Sequence, residues 1–481
     1  MYKIMEISCR YSAAGAFRII FRRYFMRKRT KRALAGILSL AALSSLAACS
    51  DDGSGTTETT TTTEKTEWTG DKVDVNVGED DFDTSIDIRG KTLKWMGFYD
   101  LNPSNEEPDR KTEIAIFEDV YGAKVEWMRT EWSTQFDDLA NAINAGNPPD
   151  IFVHGQQQFP YDINMGRFQA IDSIVDWEDP MWAEMKETAD KLMWKGEHYV
   201  APFGYRFDDY QILMYDATVI EDMGLDDPLE LYEEDKWDWD AFKNTMLEFQ
   251  GGEENKYGIA GWWTNAFIYT SGDPMVKYED GKFINNLASP NIERAQSYLG
   301  EFKANGLIGP WRDVPQAFVS GDILFYGMGT WSYNAVVDSA GGHEIKIVPF
   351  PKAPGSDTYY MNKAIFAHMW VKGSDNADVL KVWYDINRMI NYDETYLQTK
   401  KEKYLSNYTN WTEENYDMVA AYSDDTKFPL AYDYGYGLNK NMNDDIMNTL
   451  YSGLGDSKWE SWPTAREEYS TIVDAAISDY Q

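Results

Sequence analysis

The sequence predicts an α/β fold with a mainly parallel sheet, on two observations. Segments with strand-like and helix-like apolar spacing alternate along most of the chain. Roughly 390 residues follow a polar N-terminal stretch, enough chain for two lobes.

The alternation begins with "GKTLKWMGFY" as a strand, "DRKTEIAIFEDVYG" as a helix and "AKVEWMRT" as a second strand. "WSTQFDDLANAINAG" carries helical apolar spacing at Phe136, Leu139, Ala140 and Ile143, and "PDIFVHG" reads as a short buried strand after a Pro-Pro stop. "WDWDAFKNTMLEF" is a helix with Asp238 or Asp240 as its N-cap. In "SPNIERAQSYLGEFKANGLIGP", Ser289 caps the helix, Pro290 takes its first position and Gly306 stops it. "HEIKIVPFP" is a strand closed by prolines, and "NADVLKVWYDINRMI" is an amphipathic helix. No internal repeat is evident.

The N-terminus is built differently. Arg22, Arg23, Arg27, Lys28, Arg29, Lys31 and Arg32 precede the apolar and small run "ALAGILSLAALSSLAA" at 33–48. That run is short for a membrane span and matches the core of an export signal, complete from Met26 onward. An uncleaved anchor helix is the competing expectation. Leu46-Ala47-Ala48-Cys49 resembles a bacterial lipobox, which implies lipidation of Cys49 after removal of residues 1–48. Residues 49–87 open with "CSDDGSGTTETTTTTEKTEWTGD", a Thr-, Glu- and Asp-rich stretch that reads as a disordered tether with a mean reach of about 30–35 Å. Residues 1–48 carry ten Lys or Arg against one acid, so their loss would take the formal net charge from −35 to −44. Such a chain is repelled by nucleic acid and anionic lipid, and no nucleic-acid partner is expected.

Chemistry is bounded by what is scarce. Cys9 and Cys49 are the only cysteines, which leaves the remainder without a disulfide framework or a thiolate site. His154, His198, His343 and His368 share no metal-binding spacing, and no nucleotide, flavin or serine-hydrolase fingerprint occurs. "NKNMNDD" at 439–445 lacks the glycine and the closing acid of a calcium loop. No cofactor, no metal and no catalytic residue is therefore expected. Acid pairs such as Asp208-Asp209 and Asp226-Asp227 arise by composition in a chain with 80 acids.

Aromatic residues are in excess: 18 Trp, 32 Tyr and 22 Phe, 15% of the chain. Many fall where a strand hands over to a helix, and ligands of open α/β sheets sit beyond the carboxyl ends of the strands. "GFYDLNPSN" offers Phe98, Tyr99 and Asp100, and "HGQQQFPYD" offers His154, Gln156, Gln157 and Gln158. "GWWTNAF" offers Trp262 and Trp263, while "GMGTWSYN" offers Trp331 and Tyr333 with glycines that leave room around a ring. A pyranose has an apolar face that stacks on such rings and an equator of hydroxyls that suits Gln, Asp, Arg and His. The competing expectation for any one tryptophan is core packing.

These residues carry a resemblance. "FEDVYGAKVEW", "LANAINAGNPPDIFV", "GEHYVAPFGYRFDDYQILMYD", "KWDWDAF", "ERAQSYLGEFKANGLI", "AFVSGDILFYGMGTWS" and "IVPFPKAPGS" occur in the order found in extracellular solute-binding proteins of ABC importers, and the chain from about 90 to 480 is similar to their sugar-binding group, which includes maltose-binding protein. The resemblance implies a two-lobed periplasmic-binding-protein-like fold of type II, with a hinge between the lobes and ligand in the cleft. It implies lobe 1 over 88–204 plus about 363–404, and lobe 2 over 205–362 plus about 405–481. Carried over by position, the ligand contacts fall at Tyr99, Asp100, His154, Gln157, Gln158, Tyr205, Arg206, Trp262 or Trp263, Trp331 and Tyr434 or Tyr436, with Tyr333 beside them. His154 stands where maltose-binding protein has a stacking tryptophan, so maltose itself is not implied. The expected protein is a lipid-anchored monomer on the outer face of a Gram-positive cytoplasmic membrane. It would deliver a carbohydrate, as an oligosaccharide, to an ABC permease. A surface glycoside hydrolase and a receptor for a peptide or polyamine are the alternatives.

Overall fold

The computed structural model describes residues 82–480 apart from 84, 102–110, 441, 443–446, 448–449 and 451–461, with only the backbone at 462–465. The export signal, Cys49 and the tether to residue 81 lie outside the described residues. Two sheets organise the rest. The first has the order β2 (Lys124–Arg129), β1 (Thr92–Gly97), β3 (Ile151–Val153), β11 (Ile365–Trp370), β4 (Ala201–Tyr205). The second has the order β10 (Ile345–Val348), β5 (Gln211–Asp216), β9 (Ile323–Gly329), β6 (Tyr257–Gly261). A hairpin of β7 (Val276–Glu279) and β8 (Lys282–Asn285) stands apart.

The strands and helices named from the sequence form where expected, and the mainly parallel pairing does not. β1 pairs in parallel with β2 and β3, and β6 with β9, but β11 is antiparallel to both its neighbours and so is β5. Each sheet is thus a parallel set with one reversed strand. The reversed strands are the two through which the chain enters from the other sheet: β5 follows β4, and β11 follows β10. A chain that leaves one sheet at its carboxyl edge and enters the next at that same edge must run its first strand backwards. The carboxyl edges of both sheets therefore lie along the segments that join them.

Local chemistry sets the element ends. Asp238, not Asp240, caps the helix Trp239–Gln250, accepting from the Ala241 amide at 2.9 Å. Ser289 accepts from the Asn291 amide, Pro290 opens the helix Pro290–Ala304, and Gly306 follows it at φ +69°. Apolar packing absorbs much of the aromatic excess. Trp95, Trp182, Trp237, Trp239 and Trp383 are fully buried. In the second lobe, Phe242, Phe267, Phe302 and Phe325 pack edge-to-face on one another, with Phe242 edge-to-face on Trp237 and Phe267 tilted against Trp239.

A third passage follows β11. The helix Ala377–Met389 packs on β1 and β4, whereas Glu413–Ala420 packs on β10. Asn415 of the latter accepts from the Ile347 amide at 3.0 Å and donates to the Tyr333 hydroxyl at 2.7 Å. One network ties the first two passages to the segment that follows the third. Tyr205, at the end of β4, donates to Asp425 at 2.7 Å; Lys363, just before β11, pairs with the same carboxylate and lies 4.2 Å above the Tyr205 ring. The Lys363 ammonium also donates to the Tyr422 carbonyl at 3.1 Å.

Candidate ligand-binding site

The carboxyl edge of the first sheet gathers most of the residues expected from the sequence. Tyr99 and Asp100 follow β1 and are half-buried; the Tyr99 ring lies 5.5 Å from Trp95, whose indole N–H donates to the Tyr99 carbonyl at 3.0 Å. His154 follows β3, is buried, and has no hydrogen-bond partner among the described residues on either ring nitrogen. Arg206 follows β4, pairs with Asp209 through Nη1 at 3.4 Å, and keeps a buried Nη2 without a partner among the described residues. Its guanidinium lies 5.8 Å from the Phe366 ring. Buried polar nitrogens left unpaired in a protein interior are costly, so this pair marks a place shaped for a partner.

The nearby loop sorts its glutamines by role. Gln158 is buried; its amide nitrogen donates to the Val153 carbonyl at 2.9 Å and its oxygen accepts from the Gly155 amide. Both ends of that side chain are used by its own loop, so Gln158 shapes the turn that presents its neighbours. Gln157 is half-buried, and Gln156 donates to Asn362 at 3.0 Å across to the segment that returns from the second sheet. Tyr205 is likewise engaged: its hydroxyl serves Asp425 and lies 3.1 Å from the Thr188 hydroxyl.

At the second sheet, the structure separates residues the sequence left paired. Trp263 is buried against Phe267 and Phe302, and a side chain at Gly327 would collide with its Cβ at 2.4 Å. Trp262 is half-buried, and its carbonyl accepts from the Gln211 side chain at 3.2 Å. Trp331 is also half-buried, its indole lying over Gly329 so closely that a Cβ there would meet Nε1 at 2.2 Å. Both glycines of "GMG" thus make room for a tryptophan, one in the core and one at the edge. Tyr333 is a core residue: its hydroxyl donates to the Ile345 carbonyl at 3.0 Å and its ring lies 4.4 Å from Trp411, tilted by 46°. Tyr434 is buried too, with its hydroxyl on the Lys191 carbonyl at 2.9 Å and its ring among Phe159, Tyr278 and Phe283. Tyr436 is half-buried, in the turn that packs on the Gln156–Gln158 loop. Asp433 anchors that turn by accepting from the Met275 and Gly435 amides at 2.9 and 2.8 Å.

Sequence reasoning missed Trp132. It follows β2 at the same edge as Tyr99 and is 48% exposed. The strand-end rule that singled out the segments after β1 and β3 applies equally after β2. It also missed Asn362 and Tyr360, which line a cavity of about 20 Å³ with Gln211 and Phe350, room for one water. Tyr360 borders a polar groove of about 340 Å³ as well, lined by Asp273, Arg294 and Ser356.

The two buried imidazoles at the floor of the site are held uncharged. Burial, reinforced by the Arg206 guanidinium, holds His154 down to about 3. His368 is held down to about 3 by burial, with Arg206 and Lys111 adding to it; its Nδ1 accepts from the Trp383 indole at 3.0 Å. The arrangement offers flat rings, uncharged planar groups, the Arg206 guanidinium and the Asp100 carboxyl group, and His154 stays unprotonated at neutral pH. The unfolded chain takes up these protons near pH 6.5 while the folded chain does not until about pH 3. Stability is therefore expected to be full above about pH 6.5 and to fall below it, by up to about 1.4 kcal/mol per pH unit for each histidine. Urea titrations of wild type and of His154→Gln/His368→Gln between pH 7 and 4 check this. The double variant should show the shallower slope, and equal slopes would contradict it.

Comparison with known proteins places the chain. The family model for bacterial extracellular solute-binding proteins matches residues 113–384, more than half of the sequence. Diacetylchitobiose binding protein DasA of Streptomyces coelicolor is 24% identical over 220 residues, 45% of this chain and 48% of its own, so the match spans about half the length of that relative. Among solved structures, the ABC substrate-binding protein Lmo0181 of Listeria monocytogenes, in complex with cycloalternan, superposes with a TM-score of 0.57 at 13% identity, covering 81% of this chain and 99% of the other. The sugar-binding protein MalE of Xanthomonas citri gives 0.57 at 14% identity, covering 81% and 98%. The fold is that of these two-lobed binding proteins, and the chain belongs to the bacterial extracellular solute-binding protein family.

Proposed function

We propose that this protein captures an oligosaccharide between its two lobes and delivers it to an ABC importer, without chemical turnover. One observation carries the reading. Half-buried rings at Tyr99, Trp262 and Trp331 accompany nitrogens of His154 and Arg206 that have no partner among the described residues, at strand ends of two sheets whose carboxyl edges lie along the same connecting segments, and the half-buried Tyr436 sits in the turn packed on the Gln156–Gln158 loop. Flat rings supply stacking and the planar polar groups supply hydrogen bonds, the combination a chain of pyranoses needs. A relative named for diacetylchitobiose and a structural neighbour solved in complex with cycloalternan agree with that class.

In this reading lobe 1 comprises 88–204 plus about 363–404 and lobe 2 comprises 205–362 plus about 405–481, closing by a hinge rotation at their connections. Asp100 and Gln157 add polar contacts. Gln158, Tyr205 and Trp263 act by holding the site's framework. Cys49 bears the lipid, the stretch from there to about residue 81 forms the tether, since Phe82 is buried beside Tyr396, and the protein works as a monomer at the outer membrane face beside its permease. No helix among the described residues is long and apolar enough to cross a membrane.

The test is substitution at the edge tryptophans. Trp331→Ala and Trp262→Ala should each weaken binding of the cognate oligosaccharide by about 1–3 kcal/mol, the size of a lost stacking platform. Calorimetry measures this directly, and unchanged affinity in both variants would remove these residues from the site.

A further inference from the structure

We infer that Trp132, braced by Phe98, forms an outer sugar platform that engages only chains long enough to leave the cleft; this rests on the oligosaccharide reading above. Among the described residues only two tryptophans are exposed, Trp132 and Trp311. Trp311 neighbours Arg312, whose guanidinium pairs with Asp322 just before β9, at the amino edge of the second sheet. Trp132 instead follows β2 at the carboxyl edge, beside the segment that carries Tyr99.

Its ring is held in place rather than loose. Trp132 meets Phe98 at 4.9 Å with an interplanar angle of 88°. Phe98 meets Tyr99 at 5.0 Å and 75°, and Tyr99 meets the buried Trp95 at 5.5 Å. An edge-to-face pair covers at most one face of one ring, so Phe98 leaves at least one indole face uncovered, and Trp132 is 48% exposed. The aromatic run climbs from the floor of the first lobe to its rim in steps of about 5 Å.

The backbone under Trp132 is fixed as well. The Thr134 and Gln135 amides donate to the Glu131 carbonyl at 3.1 and 3.0 Å, and the buried Gln135 side chain donates to the Trp132 carbonyl at 3.2 Å. The Thr130 amide donates to the Gly97 carbonyl at 3.1 Å, locking the turn to β1. A tryptophan has two side-chain torsions to restrict, and a pinned turn leaves little further entropy to lose on binding. An exposed indole on a rigid turn is a stacking surface already in position for a sugar ring.

The experiment is calorimetry of the mature protein with malto-, cello-, xylo- and chito-oligosaccharides from disaccharide to hexasaccharide, for wild type, Trp132→Ala, Trp132→Phe and Trp311→Ala. In the series that binds, the Kd ratio of Trp132→Ala to wild type should grow with chain length, reaching roughly 5- to 100-fold for the longest. Trp132→Phe should recover most of that loss, and Trp311→Ala should match wild type throughout. A ratio that stays constant with length, including a ratio of one, would overturn the platform while leaving the oligosaccharide reading intact. Absence of binding by every saccharide to wild type would overturn both.

Discussion

Gly261→Ala is expected to cost about 3 kcal/mol and to disable ligand binding. Gly261 ends β6 at φ +98°, a conformation that L side chains rarely adopt, and forcing one there costs about 1–3 kcal/mol. A Cβ would also lie 2.2 Å from the Gly327 carbonyl oxygen and 3.0 Å from the Tyr326 ring. That carbonyl accepts the Trp262 amide at 2.9 Å, so the added methyl pushes apart the contact that positions Trp262. Losing a buried backbone hydrogen bond adds about 1–3 kcal/mol, against which a stiffer unfolded chain returns less than about 1 kcal/mol. Urea denaturation and calorimetry check both consequences. A variant within about 1 kcal/mol of wild type that binds normally would contradict this account of the β6 edge.

Asp425→Ala should destabilise the protein by about 2–4 kcal/mol, and Lys363→Met in the same chain should recover part of the loss. The Lys363 side chain is wholly buried, while Asp425 is 38% exposed. Removing one member of a buried pair leaves the other charge uncompensated, about 3–5 kcal/mol when both are dry. Solvent at Asp425 lowers that figure. Burial already holds the Lys363 ammonium below its ordinary value, with Asp425 opposing. Deleting the acid leaves it the Tyr422 carbonyl and the face of Tyr205. A double-mutant cycle over Asp425 and Lys363 reads the coupling. Additive effects would show that the passages between the lobes are not tied through this pair.

Most elements were legible because their signals are local. Asp238, Ser289, Pro290 and Gly306 act within a few residues of the helix ends they set. The strand order was not legible, because the reversal of β5 and β11 depends on which sheet the chain has just left. The Lys363–Asp425–Tyr205 network was hidden for the same reason: its members are brought together only by the crossings.

At the site, the strand-end rule found the edge but could not say which of two adjacent aromatics faces it. Trp262 and Trp263 have the same chemistry, and only the packing of Phe267 and Phe302 draws one into the core. Tyr333 looked like a platform beside Trp331, yet the first helical turn after β9 rotates it inward to Asn415. Gln158 carried the right functional group and spends it on its own loop.

The most direct test of the central claim is a calorimetric titration of residues 88–481 against plant, starch and chitin oligosaccharides, with amino acids, short peptides and polyamines as controls and the saccharide products analysed afterwards. One glycan class should bind and be recovered uncleaved, with the controls silent. Binding of a peptide or polyamine alone, or release of shorter sugars, would contradict that claim.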